Sequence, residues 1–197
     1  MALVCPGCGA PLRERFRGPE LLACEHCGAF VAIVNGQGEL LARGAPLVAL
    51  QTRFALGATM RLRGVAHDCV GHVRFDYDDG LWDEWQLARP DGAIVRLQED
   101  EGDLVLWTSA TDGPRVELGA ARPGATVAAF GLAVRVAEIG RAHVVGAEGS
   151  LERRVAPAEP FDYIDGHAAG AVVSVRSGHT TSLCLRGEPI GHEEIET

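Results

Sequence analysis

Cys5 and Cys8, followed by Cys24 and Cys27, form two C-x2-C pairs fifteen residues apart, the ligand pattern of a tetrahedral four-cysteine metal site. Cys5-Pro6-Gly7-Cys8-Gly9 and Cys24-Glu25-His26-Cys27-Gly28 both close with a glycine, which accepts the positive φ that a turn around a cation requires. Four thiolates leave no open coordination position, so the expected occupant is a structural Zn2+ that holds a fold rather than performs chemistry. Iron in a rubredoxin-like site uses the same ligands, but the intervening segment is short for it, which favours zinc. Disulfides would need an oxidising compartment, and Cys5 comes too early to follow a signal peptide. A thioredoxin-like redox pair would sit beside a βαβ pattern, which is absent. His26 is expected to face solvent while four thiols are present.

Three other groupings could carry chemistry. Trp82, Asp83, Glu84 and Trp85 are a candidate groove for a small cation of the polyamine type, since ring faces and carboxylates both attract positive charge. The competing reading is that Trp85 and Leu87 pack inward and Trp82 covers the end of a barrel, and the large area of aromatic side chains favours it. Asp162, Asp165 and His167 could form an acid/base pair, although an Asp165-Gly166 turn is the simpler expectation. His67, Asp68, Cys69 and His72 are the densest set of ligand types outside the ribbon. On a regular strand His67 and Cys69 share one face and Asp68 and His72 the other, so the four meet only across a bulge or turn. The simpler expectation is a hairpin turn at His67-Asp68, with Cys69 and Cys184 as small buried apolar residues.

The balance of charge narrows the function. The net charge is −9 and the pI is near 5.2, whereas a duplex-binding surface needs clustered positive charge to displace counterions from phosphates. Within the ribbon, Arg13, Arg15 and Arg17 are matched by Glu14, Glu20 and Glu25. The chain contains no lysine, which excludes Schiff-base chemistry, a P-loop lysine and a Ser-Lys dyad. No G-x-S-x-G, H-E-x-x-H, Walker A or dinucleotide-binding fingerprint occurs. No apolar run reaches the length of a membrane span, so a soluble, cytoplasmic protein without membrane insertion is expected.

The elements that must position these groups read as β structure. The fold class expected is mainly β, with a four-cysteine zinc ribbon over residues 1–36, a connector over 37–56, and two related small antiparallel β-barrel or sandwich-like units over 57–120 and 121–197. Phe30 to Val34 is the last ribbon strand, ended by Asn35-Gly36, and a short helix is expected in the connector around Leu47 to Phe54. From Thr59 onward, short alternating segments are separated by Asp78-Asp79-Gly80, Pro90-Asp91-Gly92 and Glu101-Gly102-Asp103, the pattern of a meander. Gly124-Ala125-Thr126 repeats Gly57-Ala58-Thr59, and Gly131 stands where Gly64 stood, which points to internal duplication. In the second unit Val134 to Glu138 and Ala142 to Val145 read as separate strands. Glu193 to Thr197 reads as a solvated tail.

The cysteine knuckles, Leu56-Gly57, Gly64, the Leu81-Trp82-Asp83-Glu84-Trp85-Gln86-Leu87 stretch and Phe161-Asp162-Tyr163-Ile164-Asp165-Gly166 together resemble bacterial DUF4178 proteins. Members of that family often place a tryptophan before the leucine of the strand after the turn; this chain has Arg96 before Leu97. The resemblance implies a domain without an assigned activity, sometimes encoded beside polyamine-synthesis-like and small membrane proteins.

The expectation is therefore a non-enzymatic cytoplasmic module for protein interaction or assembly. Its partner would be another protein, membrane-associated proteins included, and nucleic acid is disfavoured. The alternatives are a module binding a small polyamine-like cation, and an enzyme using the Asp162 to His167 segment.

Overall fold

The computed structural model describes residues 3–49, 51–77 and 80–197. Three short strands belong to the ribbon: β1 (Leu21–Ala23), β2 (Phe30–Val34) and β3 (Gln37–Ala42). The first half of the remaining chain holds β4 (Thr59–Leu62), β5 (Val65–Tyr77), β6 (Gly80–Ala88), β7 (Ile94–Asp100) and β8 (Asp103–Pro114). The second half holds β9 (Thr126–Ala129), β10 (Leu132–Leu151), β11 (Pro160–Ala168), β12 (Ala171–Ser177) and β13 (Thr181–Pro189), and β14 (Ile195–Glu196) ends the chain. All the strand pairings are antiparallel, and four strands from each half close a ring in the order β5-β6-β7-β8-β13-β12-β11-β10. The mainly β reading holds, with one refinement. The two related units do not close separately but join edge to edge, through β5–β10 and β8–β13, into a single eight-stranded barrel.

The repeat is visible in hydrogen bonds. Gly57 N donates to Cys69 O and Cys69 N to Ala58 O; Gly124 N donates to Val136 O and Val136 N to Ala125 O. Arg63-Gly64 and Phe130-Gly131 both take positive φ at the tips of the hairpins β4–β5 and β9–β10. A register shift follows each, between Cys69 and Gly71 on β5 and between Val136 and Glu138 on β10, as a β-bulge produces.

The period-two pattern runs outward. Trp85, Leu87, Val95, Leu97, Leu104 and Leu106 point away from the barrel axis into a core capped by Met60 and Leu62 of β4, Phe54, Ile190 and Ile195. The second half repeats this, with Val136, Ile164, Val173 and Val175 capped by Ala129 of β9 and Leu118. Covering both outer faces satisfies the apolar residues there, so the alternate positions, among them Glu84, Gln86, Arg96, Gln98, Ser174 and Arg176, are left to face the interior.

Several expectations change. The 37–56 connector opens as strand β3, paired with β2, and no helix forms between Leu47 and Phe54 among the described residues. Val134 to Glu138 and Ala142 to Val145 are one strand, β10. Its Gly140 is not a break: a Cβ there would lie 2.5 Å from the Tyr163 hydroxyl packed on it. Ile195 is buried and pairs with Leu62, so the tail is docked rather than solvated. The Asp78-Asp79 turn lies outside the described residues.

The ribbon is built onto the barrel. Leu21, Leu22 and Ala23 of β1 pair with Leu151, Ser150 and Gly149 at the end of β10, and Ser150 Oγ accepts from Arg15 N and donates to Arg13 O. No helix among the described residues is long and apolar enough to cross a membrane.

Candidate functional site

The two knuckles fold alike. Gly9 N donates to Cys5 O and Gly28 N to Cys24 O, each at 2.8 Å, and both glycines take positive φ, 77° and 69°. Cys5 N bonds to Ala10 O and Cys24 N to Ala29 O. These turns bring the Sγ atoms of Cys5, Cys8, Cys24 and Cys27 within 4.8 Å of one another, with Cys5–Cys27 at 3.7 Å and Cys8–Cys24 at 3.8 Å. A disulfide needs about 2.05 Å. Sulfurs about 2.3 Å from a tetrahedral ion stand about 3.8 Å apart, so the spacing fits a metal. Gly7 N donates to Cys5 Sγ at 3.3 Å. The Ala29 amide lowers the Cys27 pKa, but burial and hydrogen bonds with the other three thiols outweigh it and push the thiol up to about 12.

The Trp82 to Trp85 stretch lies on β6, and strand alternation divides it. Trp82 and Glu84 face the barrel interior, whereas Asp83 and Trp85 face outward, so the four do not form one groove. Glu84 contacts the Arg176 guanidinium. Asp83 is buried and accepts from Arg74 Nε at 2.8 Å and Arg74 Nη2 at 3.1 Å, while His72 Nε2 lies 2.6 Å from Asp83 Oδ1. Burial would raise the Asp83 pKa, but His72 and Arg74 outweigh it and hold the carboxyl below its ordinary value. Burial would likewise lower the His72 pKa; hydrogen bonds to Asp83 and Glu148 reverse this and raise it.

The bulge on β5 also rearranges the His67 to His72 cluster. It brings Cys69 and His72 to one face, but Thr59 Oγ1 donates to Asp68 and His67 Nδ1 lies 2.8 Å from Val65 O, so the four do not converge. His67 and Asp68 sit in the body of β5, and the hairpin turn is Arg63-Gly64. Cys69 is buried, which raises its thiol to about 12, and Cys184 is buried as well.

Asp162 and Asp165 stand on opposite faces of β11, so they form no acid/base pair. Asp165-Gly166 is strand rather than turn, because Gly166 crosses Arg135 so closely that a Cβ would lie 2.1 Å from its carbonyl oxygen. Asp165 Oδ1 is buried without a hydrogen-bond partner among the described residues, and burial raises its pKa to about 6 against the lowering effects of Ser174 and Arg176. Beside it, Trp82 Nε1 is also unpartnered, and both line a cavity of about 20 Å3, room for one water.

Sequence reasoning missed a concavity inside the barrel. A cavity of about 370 Å3 occupies the barrel interior, and each of the eight strands contributes to its wall, from Phe75 on β5 round to Phe161 on β11. The loop over 153–159 borders its opening. Its buried charged groups come from mid-strand positions: Glu84 on β6, Arg96 on β7 and Arg176 on β12. A charge interrupting an apolar run, as in Val95-Arg96-Leu97 and Val175-Arg176, is the signal that could have found them.

No curated protein and no solved structure matches the chain. A family model does match, over residues 55–185, which takes in seven barrel strands, the first part of β13 and the β4 and β9 hairpins. By that match the chain belongs to DUF4178, a domain of unknown function.

Proposed function

We propose that this chain is a non-enzymatic binding module in which a structural Zn2+ on Cys5, Cys8, Cys24 and Cys27 stiffens the ribbon and the barrel interior receives a small ligand. The observation that carries this reading is the cavity of about 370 Å3. Eight-stranded barrels either fill their interior with side chains or hold one small ligand, and ligand sites start at about 300 Å3. Buried Glu84, Gln86, Arg96 and Arg176 supply the few convergent polar groups such a site uses. The polyamine alternative loses support, because Asp83 and Glu84 are each neutralised by an arginine. The enzyme alternative loses its paired carboxylates. The test is a thermal-shift screen of small metabolites against the native chain and a cavity-filling Val144→Phe variant. Ligands should stabilise the native chain and not the variant; equal stabilisation of both, or of neither, would remove the reading.

A second reading, assembly with a protein, rests on β3. It is the last strand of the sheet, its outer edge is unpaired among the described residues, and Leu40 and Leu41 are exposed. An extended segment of a partner protein would add to this edge. A Leu40→Asp, Leu41→Asp double variant should lose a partner that the native chain co-purifies with, and Val144→Phe should keep it.

A further inference from the structure

Two arginines stand among the buried charged groups of the cavity. Arg96 is 4% exposed and Arg176 8%, and burying a guanidinium is costly unless it is neutralised. Arg176 contacts Glu84, and Arg96 donates to Glu152 at 2.5 Å. Arg153 reaches the same cavity from the loop after β10, where its Nη1 pairs with Asp112 and its Nη2 donates to Ala110 O, while its Nε is buried without a partner among the described residues. Burial and the charge of Arg96 hold the Arg153 pKa below its ordinary value, so the two guanidiniums feel each other.

Two features make this a receptor for negative charge. Each guanidinium has five N–H donors. Among the described residues, Arg96 and Arg176 each give one side-chain hydrogen bond, leaving most of their donors to the cavity. The Arg176 plane is also pinned, lying 5.2 Å from the Phe75 ring centroid, 5.5 Å from Trp82 and 5.9 Å from Phe161. A fixed fork gives up little entropy when it binds an oxyanion. Each of these three guanidiniums has one carboxylate partner, Glu84 on Arg176, Glu152 on Arg96 and Asp112 on Arg153, and the exposed Arg154 of the lining adds one positive charge. Glu20, Asp112 and Glu159 are exposed at the mouth and disfavour ligands of higher negative charge. Val73, Phe75, Val144 and Phe161 supply an apolar wall.

We propose that the barrel cavity binds a small amphipathic monoanion, with its oxyanion head on Arg96, Arg153 and Arg176 and its apolar body along Phe75, Val144 and Phe161. This rests on the small-ligand reading and specifies its chemistry.

Four size-matched probes test it by calorimetric titration and thermal shift: phenylacetate, phenyl phosphate, benzyl alcohol and benzylamine. Phenylacetate should bind saturably and raise the melting temperature, with benzyl alcohol roughly ten-fold weaker or worse, as loss of a charge-assisted hydrogen bond implies. Arg153→Gln, at a partly exposed position, should weaken phenylacetate by a similar factor while leaving the melting temperature of the free protein near native. Arg96→Gln should do the same, and the Arg153 variant decides if Arg96→Gln does not fold. Tighter binding of phenyl phosphate than of phenylacetate would overturn the monoanion and assign a phosphate head. Equal binding of benzyl alcohol, or tighter binding of benzylamine, would overturn the anion proposal and leave the small-ligand reading standing. Failure of all four probes would overturn this proposal, and failure of the wider metabolite screen as well would overturn both.

Discussion

The imidazole of His72 lies flat on the indole of Trp85, ring centroids 3.9 Å apart and planes 9° apart, while each of its nitrogens faces a carboxylate, Asp83 at 2.6 Å and Glu148 at 3.1 Å. An imidazole placed this way donates from both nitrogens only when it is protonated. Its folded-state pKa is raised above the ordinary value near 6.5, so its contribution to stability is complete below that pH and is lost as pH rises through the folded value. Asp83 behaves oppositely: its lowered pKa contributes stability above the ordinary carboxylate range, lost as pH falls. Denaturant midpoints should therefore decline on both sides of a slightly acidic maximum. His72→Gln should cost about 2 kcal/mol at pH 6 and less at pH 9, the scale of a charge-assisted hydrogen bond. An equal cost at both values would show that the ring acts only by packing.

Asp83→Asn should be worse than His72→Gln. It leaves the buried Arg74 guanidinium without its two-point carboxylate partner, and removing one member of a buried pair costs about 3 to 5 kcal/mol. Urea denaturation of the two variants at pH 7 gives the comparison, and a milder effect from Asp83→Asn would contradict the pairing.

Thiol counting reads the metal centre. With zinc bound, the native chain should react slowly with a thiol reagent at all six cysteines. After chelation Cys5, Cys8, Cys24 and Cys27 should react, and buried Cys69 and Cys184 should stay silent until the barrel unfolds. Elemental analysis of the reduced protein should find one zinc per chain, and iron instead of zinc would change the occupant but not the ligands.

Asp165 works against the fold at neutral pH. Its folded pKa of about 6 exceeds the ordinary 3.8, so the native state holds the proton longer than the unfolded chain and stability falls as pH rises between those values. Asp165→Asn should flatten that slope and add stability at pH 7, at most about 3 kcal/mol by the size of the shift. A destabilised variant would mean that the ionised carboxylate has a partner in solution.

Gly166→Ala separates a strand from a turn. A Cβ against the Arg135 carbonyl would force β10 and β11 apart, which should cost about 1 to 3 kcal/mol in thermal or denaturant unfolding. A neutral effect would restore the turn that Asp165-Gly166 suggests on paper.

The four-cysteine cluster was legible because each C-x2-C pair is local: a few residues fix both thiols, and Gly9 and Gly28 announce the φ that the turns require. The strands and the Asn35-Gly36, Asp91-Gly92 and Glu101-Gly102 turns were legible for the same reason. The cavity was not. Alternation in Ile94 to Leu97 says that Arg96 and Leu97 point opposite ways, but not which way is in, and apolar residues are ordinarily assigned to a barrel's inside. Here β4 and β9 supply an outer layer for Leu97 and Val175, and that layer depends on pairings distant in sequence. The bulge after Cys69 hid the His72 site similarly, since one extra residue reverses the face of everything that follows it.

The barrel's closure also sets an order on its making. The edge of β5 stays open on the nascent chain until residues 144–149 emerge, and β8 waits longer still for β13. Two long strand margins are thus left without mates during synthesis, exposed to any other extended polypeptide nearby. A chain truncated after β8 would keep both margins permanently, which makes the first half, expressed alone, a template for self-association rather than a smaller version of the whole.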